Sequence, residues 1–132
     1  MVRINIHGPL KSLETWALLD TGAESNFIDS KIANELDLPL GSLVNAITAN
    51  KTSIDSFSVK GKVVIEVSSH PFSLDLISTR NLSFPIILGY SWWKACRAYI
   101  IHKKNLVSFC KKIALRWFLY TLLISKHQIL GH

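Results

Sequence analysis

The chain has 132 residues, of which 48% are hydrophobic and 18% charged, with a formal net charge of +6. That is enough for one ordinary domain with its own core, too little for two lobes, and far from the composition of a disordered chain. All nine acidic residues lie at or before Asp75, whereas nine of the fifteen Lys and Arg follow it; the purely basic back half is suited to contact nucleic acid or a membrane surface, but no aromatic-basic repeat or nucleic-acid motif accompanies it, so a solvated basic face is the simpler expectation.

Along the chain, Val2, Ile4 and Ile6 alternate with Arg3, Asn5 and His7, the period of a half-buried strand, which Gly8-Pro9 ends. Thr15 to Leu19 is a second apolar run, too short for a helix, leading into the small-residue turn Asp20-Thr21-Gly22-Ala23 and then Asn26-Phe27-Ile28. From Ser30 the spacing of Ile32, Ala33 and Leu36 predicts a short helix, with Asp29 or Ser30 as N-cap and Pro39 closing the segment.

Branched and alternating stretches at Val44 to Thr48, Phe57 to Val59, Val63 to Val67 and Phe72 to Leu76 predict several short strands, the pattern of an all-β sandwich or barrel. Phe84-Pro85-Ile86-Ile87-Leu88-Gly89 predicts a buried strand stopped by glycine, Tyr90 to Ala98 a short helix, and Lys103-Lys104-Asn105 the turn of a last hairpin. A β domain over 1–109 and a basic, apolar tail over 110–132 follow. Within the tail, Ile113 to Ile124 is apolar except at Arg116 and Thr121, and at about a dozen residues it falls short of the roughly 20 that span a bilayer. A helix packed on the domain is the first expectation for it, ahead of a membrane-surface anchor or an appended sequence foreign to the fold.

Cys96 and Cys110 show neither metal-ligand spacing nor the density of a disulfide scaffold, and the first residues turn polar before a signal-peptide core forms. The expected setting is intracellular, in the cytoplasm, with free thiols, a lone disulfide being the alternative. The five histidines are scattered, so neither a metal nor another cofactor is expected. Trp16, Trp92 and Trp93 are expected in packing against the core or a second copy.

Asp20-Thr21-Gly22 is by itself a weak signal, since an ordinary polar turn between strands uses the same residue types. Its context adds meaning: a strand delivers it, another strand leaves it, and a second apolar strand ending in glycine, Ile86-Ile87-Leu88-Gly89, follows downstream. Hydrolysis of a peptide without metal or nucleophilic side chain needs a base to activate water and an acid to protonate the departing amine. Two carboxyl groups held together and sharing one proton supply both.

The segment Ala17-Leu18-Leu19-Asp20-Thr21-Gly22-Ala23-Glu24-Ser25-Asn26-Phe27-Ile28-Asp29 resembles the active-site segment of retropepsin-like aspartic proteases, particularly those of Ty3/gypsy-type retrotransposons. Lys31-Ile32-Ala33-Asn34-Glu35-Leu36 with Leu38-Pro39-Leu40 is similar to the family's helix-like stretch, and Pro85 to Trp93 to its Ile-Leu-Gly segment. The resemblance implies a closed acid-protease barrel of short strands with one or two short helices, active as a homodimer on a peptide or retroelement polyprotein. It makes Asp20 the catalytic carboxylate, Thr21 an interlocking hydroxyl at the dimer axis and Gly22 a close-approach backbone position. Ala23 and Glu24 would line the substrate channel. A flap around Ala49, Asn50 and Lys51 would cover it, and Ile87, Leu88 and Gly89 would support the catalytic turn. Since Asp-Thr-Gly occurs once, the second carboxylate is expected from another copy. The alternative from a different class is a catalytically inactive retropepsin-like module for dimerisation or binding.

Overall fold

A computed structural model describes residues 1–47, 53–96, 99–101, 106–113, 116–123 and 129–130. Strand β1 (Val2–His7) buries Val2, Ile4 and Ile6 and turns Arg3 outward, as its alternation requires. It pairs antiparallel with β2 (Ser12–Asp20) from Val2↔Ala17 to His7↔Ser12, and the Gly8 N–H donates to the Lys11 carbonyl at 2.8 Å to close the hairpin.

Two further strands, β6 (Val63–Val67) and β7 (His70–Leu74), extend the other side of β1. They are joined by Ser68 (φ 52) and Ser69 (φ 65), a two-residue turn with both residues left-handed, the geometry whose twist suits adjoining strands but which normally selects Asn-Gly. His7 ties the three strands together on the solvent side: its ring nitrogens meet Ser12 Oγ at 2.6 Å and Glu66 Oε1 at 3.0 Å. Such a part-exposed cross-strand contact contributes at most about 1 kcal/mol.

The other half of the sheet is threaded differently. β9 (Ile86–Leu88) runs parallel to β2, with Ala17↔Ile86, Leu18↔Ile87 and Leu19↔Leu88, while β3 (Phe27–Asp29) runs antiparallel to β9 and parallel to β8 (Ile77–Thr79). β8 in turn pairs with β5 (Ser53–Val59), and β5 with β4 (Leu40–Ile47). Parallel pairing needs both faces covered, and Leu19, Ile28, Ile86 and Leu88 at this centre are all 0% exposed. Removing one such side chain to Ala typically costs about 2–5 kcal/mol.

The sheet order is β4-β5-β8-β3-β9-β2-β1-β6-β7, so among the described residues the expected closed barrel is corrected to an open sheet whose end strands, β4 and β7, do not pair with each other. Each end carries a feature that opposes further pairing. A register shift between Leu40 and Leu43 interrupts β4, and Pro71 in β7 has no N–H to give.

Helix α1 (Ser30–Glu35) resolves its two candidate caps in favour of Asp29, whose carboxylate accepts the Lys31 N–H at 3.3 Å. It ends with Asp37 at φ 52; the Asp37 N–H reaches the Asn34 carbonyl at 3.1 Å and the Leu38 N–H the Ala33 carbonyl at 3.0 Å, a paired closure that satisfies two orphan carbonyls. Helix α2 (Tyr90–Ala95) buries Trp92 and Trp93 edge-on, with ring centroids 5.5 Å apart. Trp16, by contrast, is 44% exposed beneath the Arg3 guanidinium, 5.4 Å from its ring centre. Cys96 is buried, with its Sγ 3.0 Å from the Trp92 carbonyl.

The tail differs from the helix expected of it. β10 (Tyr99–Ile101), β11 (Leu106–Ile113) and β12 (Arg116–Leu123) form a separate antiparallel sheet, in register from Leu106↔Leu123 to Ile113↔Arg116, and β13 (Ile129–Leu130) lies parallel to β2 opposite Leu19 and Asp20. An apolar run bounded by basic residues has no helical period to distinguish it from a strand, and here pairing with residues 106–113 decides the outcome. Val107, 0% exposed, joins β11 to the main core.

Candidate active site

Asp20 is the last residue of β2 and is half-buried at the point where the strand leaves the sheet. The Gly22 N–H donates to Asp20 Oδ1 at 2.9 Å, and the Ala23 N–H to the Asp20 carbonyl at 3.3 Å. The turn therefore folds back on its own carboxylate and fixes how that group is presented. Thr21 and Ala23 are half-buried, Gly22 and Glu24 exposed.

What holds this turn lies far off in sequence. Parallel pairing of β2 with β9 places Ile87 and Leu88 beside Leu18 and Leu19, and the chain then passes through Gly89 directly against the turn. A Cβ at Gly89 would stand 2.1 Å from the Ser25 carbonyl oxygen and 2.7 Å from that of Ala23, distances no side chain tolerates, so this close approach requires glycine. Gly89 is also the N-cap of α2 and offers no side chain to the helix. The helix's opening N–H groups find their acceptors in the active-site segment instead: Tyr90 donates to the Ala23 carbonyl at 2.6 Å and Ser91 to the Glu24 carbonyl at 3.1 Å. Each side meets a need of the other, since a helix start carries unpaired donors and a tight turn carries unpaired carbonyls.

A second brace comes from Asp29. One carboxylate oxygen caps α1 and the other accepts the Leu82 N–H at 3.1 Å, while the Asp29 N–H donates to the Pro85 carbonyl at 2.9 Å. The connection between β8 and β9 is thereby fastened to the strand leaving the Asp20 turn.

The structure thus brings Asp20, Thr21, Gly22, Ala23 and Glu24 together with Ile87, Leu88 and Gly89. Ala49, Asn50 and Lys51, with the rest of the expected flap tip, lie outside the described residues; β4 and β5, which lead to them, pair up to Ile47↔Ser53. Sequence reading does not single out Asn26, a buried residue bonded to Gly89; the available signal is a lone amide at the mouth of an apolar strand, which is a common pattern. Among the described residues no three His, Cys, Asp or Glu side chains gather as a metal site.

The sequence pattern of the PEG10/RTL1 protease domain matches residues 16–115, more than half of the chain and all of the site just described. The chain belongs to this protease-domain family. The resemblance to retropepsin-like proteases read from residues 17–29, 31–40 and 85–93 therefore holds at the level of family. No curated protein sequence is significantly similar. Among solved structures, the retroviral protease-like domain of Ddi1 from Leishmania major superposes with a TM-score of 0.50 at 13% identity, covering 92% of this chain and 93% of that one. At that identity the likeness establishes the fold, which is retropepsin-like. The EIAV protease complexed with the inhibitor HBY-793 is also similar, with a TM-score of 0.49, 18% identity, and coverage of 70% and 83%.

Proposed function

We propose that this protease-domain chain is an aspartic endopeptidase that cleaves peptide bonds between two Asp20 carboxylates, one from each copy of a homodimer. The observation that carries the reading is the braced turn: a carboxylate at a strand end, aligned by the Gly22 N–H at 2.9 Å and backed by Gly89, inside a protease-domain match. A carboxylate fixed in advance loses little freedom when it acts, which is where positioning contributes to rate.

In the dimer the two Asp20 carboxyls share a single proton. The ionised one takes a proton from water as that water attacks the peptide carbonyl, and the protonated one gives its proton toward the substrate; the roles reverse as the amine departs. Thr21 stands next to each Asp20 and is assigned the hydroxyl that links the copies. Ala23 and Glu24 are assigned to the substrate's main chain, and Ala49, Asn50 and Lys51 to the cover over it. The substrate in this reading is an extended segment of a retroelement polyprotein, met in the cytoplasm.

The test is cleavage of a peptide library by the wild-type chain and by Asp20→Asn, with sedimentation of both. Cleavage that disappears in Asp20→Asn while dimers persist supports the reading. Full activity in Asp20→Asn overturns it, and dimers that cleave nothing in either form favour the inactive binding module instead.

A further inference from the structure

Asn26 is polar yet only 3% exposed. Its hydrogen bonds join three segments: its carboxamide accepts the Gly89 N–H at 2.9 Å and donates to the Asp75 carbonyl at 3.4 Å, and its own backbone carbonyl accepts the Ile77 N–H at 3.0 Å. The orientation of the amide is dictated by these partners, because a backbone N–H can only donate and a carbonyl can only accept. Aspartate, of nearly the same shape, lacks the donor when ionised, and leucine lacks both donor and acceptor.

The contact matters because of where Gly89 stands. Three successive N–H groups, those of Gly89, Tyr90 and Ser91, donate to the Asn26 side chain, the Ala23 carbonyl and the Glu24 carbonyl respectively. Asn26 is the side-chain member of this set, and its anchorage to Asp75 and Ile77 lies on the far side from Asp20. We propose that Asn26 is a positioning residue for the site: it fixes Gly89 against Ser25, and Gly89 in turn sets the depth at which Ala23, Glu24 and the Asp20 turn sit. This rests on the peptidase reading above for its catalytic consequence, but the clamp itself is a statement about the fold. Asn26 does not touch substrate; it acts through residues 89–91.

Two variants separate positioning from bulk stability. Asn26→Leu keeps the shape and loses the acceptor, whereas Asn26→Asp keeps an oxygen for the Gly89 N–H. With rates expressed per site titrated by a statine-type inhibitor, Asn26→Leu lowers kcat about 10- to 100-fold, the scale of a small misplacement of catalytic groups, with KM within about threefold of wild type. Asn26→Asp recovers only part of that loss, since a carboxylate keeps the acceptor for the Gly89 N–H but cannot donate to the Asp75 carbonyl. Amide exchange at residues 89–91 quickens in Asn26→Leu while exchange in the β1–β2 hairpin is unchanged. If Asn26→Leu does not fold, Asn26→Ser, too short to reach Gly89, takes its place in both measurements.

Wild-type kcat per titrated site with unchanged exchange at residues 89–91 overturns the proposal. So does an equal loss of kcat per titrated site in the Leu and Asp variants. Should the wild-type chain cleave no peptide, the peptidase reading falls, and the exchange data alone then decide for or against the clamp.

Discussion

The N–H of Tyr90 donates to the carbonyl of Ala23 at 2.6 Å, so the first turn of α2 is capped by the loop that carries Asp20. The spacing depends on Gly89, where an added Cβ would lie 2.1 Å from a backbone oxygen of Ser25. Gly89→Ala must push the loop and the helix apart, since neither obstacle is a flexible side chain. We expect a loss of about 3 kcal/mol or more in urea unfolding, the upper range for overpacking, and no detectable cleavage. Unfolding within about 0.5 kcal/mol of wild type would show that the close approach relaxes at little cost.

A site built from two copies has a further signature in mixtures. Folding wild-type and Asp20→Asn chains together in equal amounts distributes them at random over an isologous interface, and only pairs with two Asp20 carboxylates are competent. Activity then falls to about one quarter of the same total concentration of wild type, rather than to half. A linear dependence on the wild-type fraction, read from initial rates, is the outcome expected of a self-sufficient monomer.

Asp29 serves two segments at once through its carboxylate, the α1 N-terminus and the Leu82 N–H. Asp29→Ala removes a cap and leaves a part-buried donor unpaired, each worth about 1 kcal/mol or somewhat more, so we expect about 2 kcal/mol in total. Asp29→Asn keeps one acceptor and loses about half as much. Thermal or urea unfolding of the two variants side by side measures the split.

Ser68 and Ser69 both occupy left-handed backbone geometry with φ 52 and 65. Replacing the pair by Asn-Gly, which adopts this turn more readily, is expected to stabilise the chain by about 1 kcal/mol. The corresponding rise in Tm is a few degrees for a domain of this size. No cleavage parameter should change, because the turn closes β6 and β7, away from the Asp20 turn.

Much of this fold was legible because its local signals are strong. The alternation in Val2 to His7, the cap at Asp29 and the glycine that stops Ile86-Ile87-Leu88 each state a period or a punctuation mark that the structure follows. β8 carries no such mark: Ile77-Ser78-Thr79 is three residues long, with Ser78 and Thr79 buried despite their polarity, and it becomes a strand only through its neighbours β3 and β5. The openness of the sheet and the strand pairing of the tail are likewise matters of which segments meet, which composition does not encode. At the site, the Asp-Thr-Gly turn could be read directly, whereas the part of Asn26 could not, because its meaning lies in an N–H group 63 positions away.

That separation has a consequence in time. The turn at Asp20 is made early in the chain, but its support arrives with β9 and Gly89, so the loop between them must close before the carboxylate is held. Closure over such a length is slow compared with forming the β1–β2 hairpin. During synthesis the motif therefore emerges before its brace, and any fragment ending before Ile86 carries the motif without it.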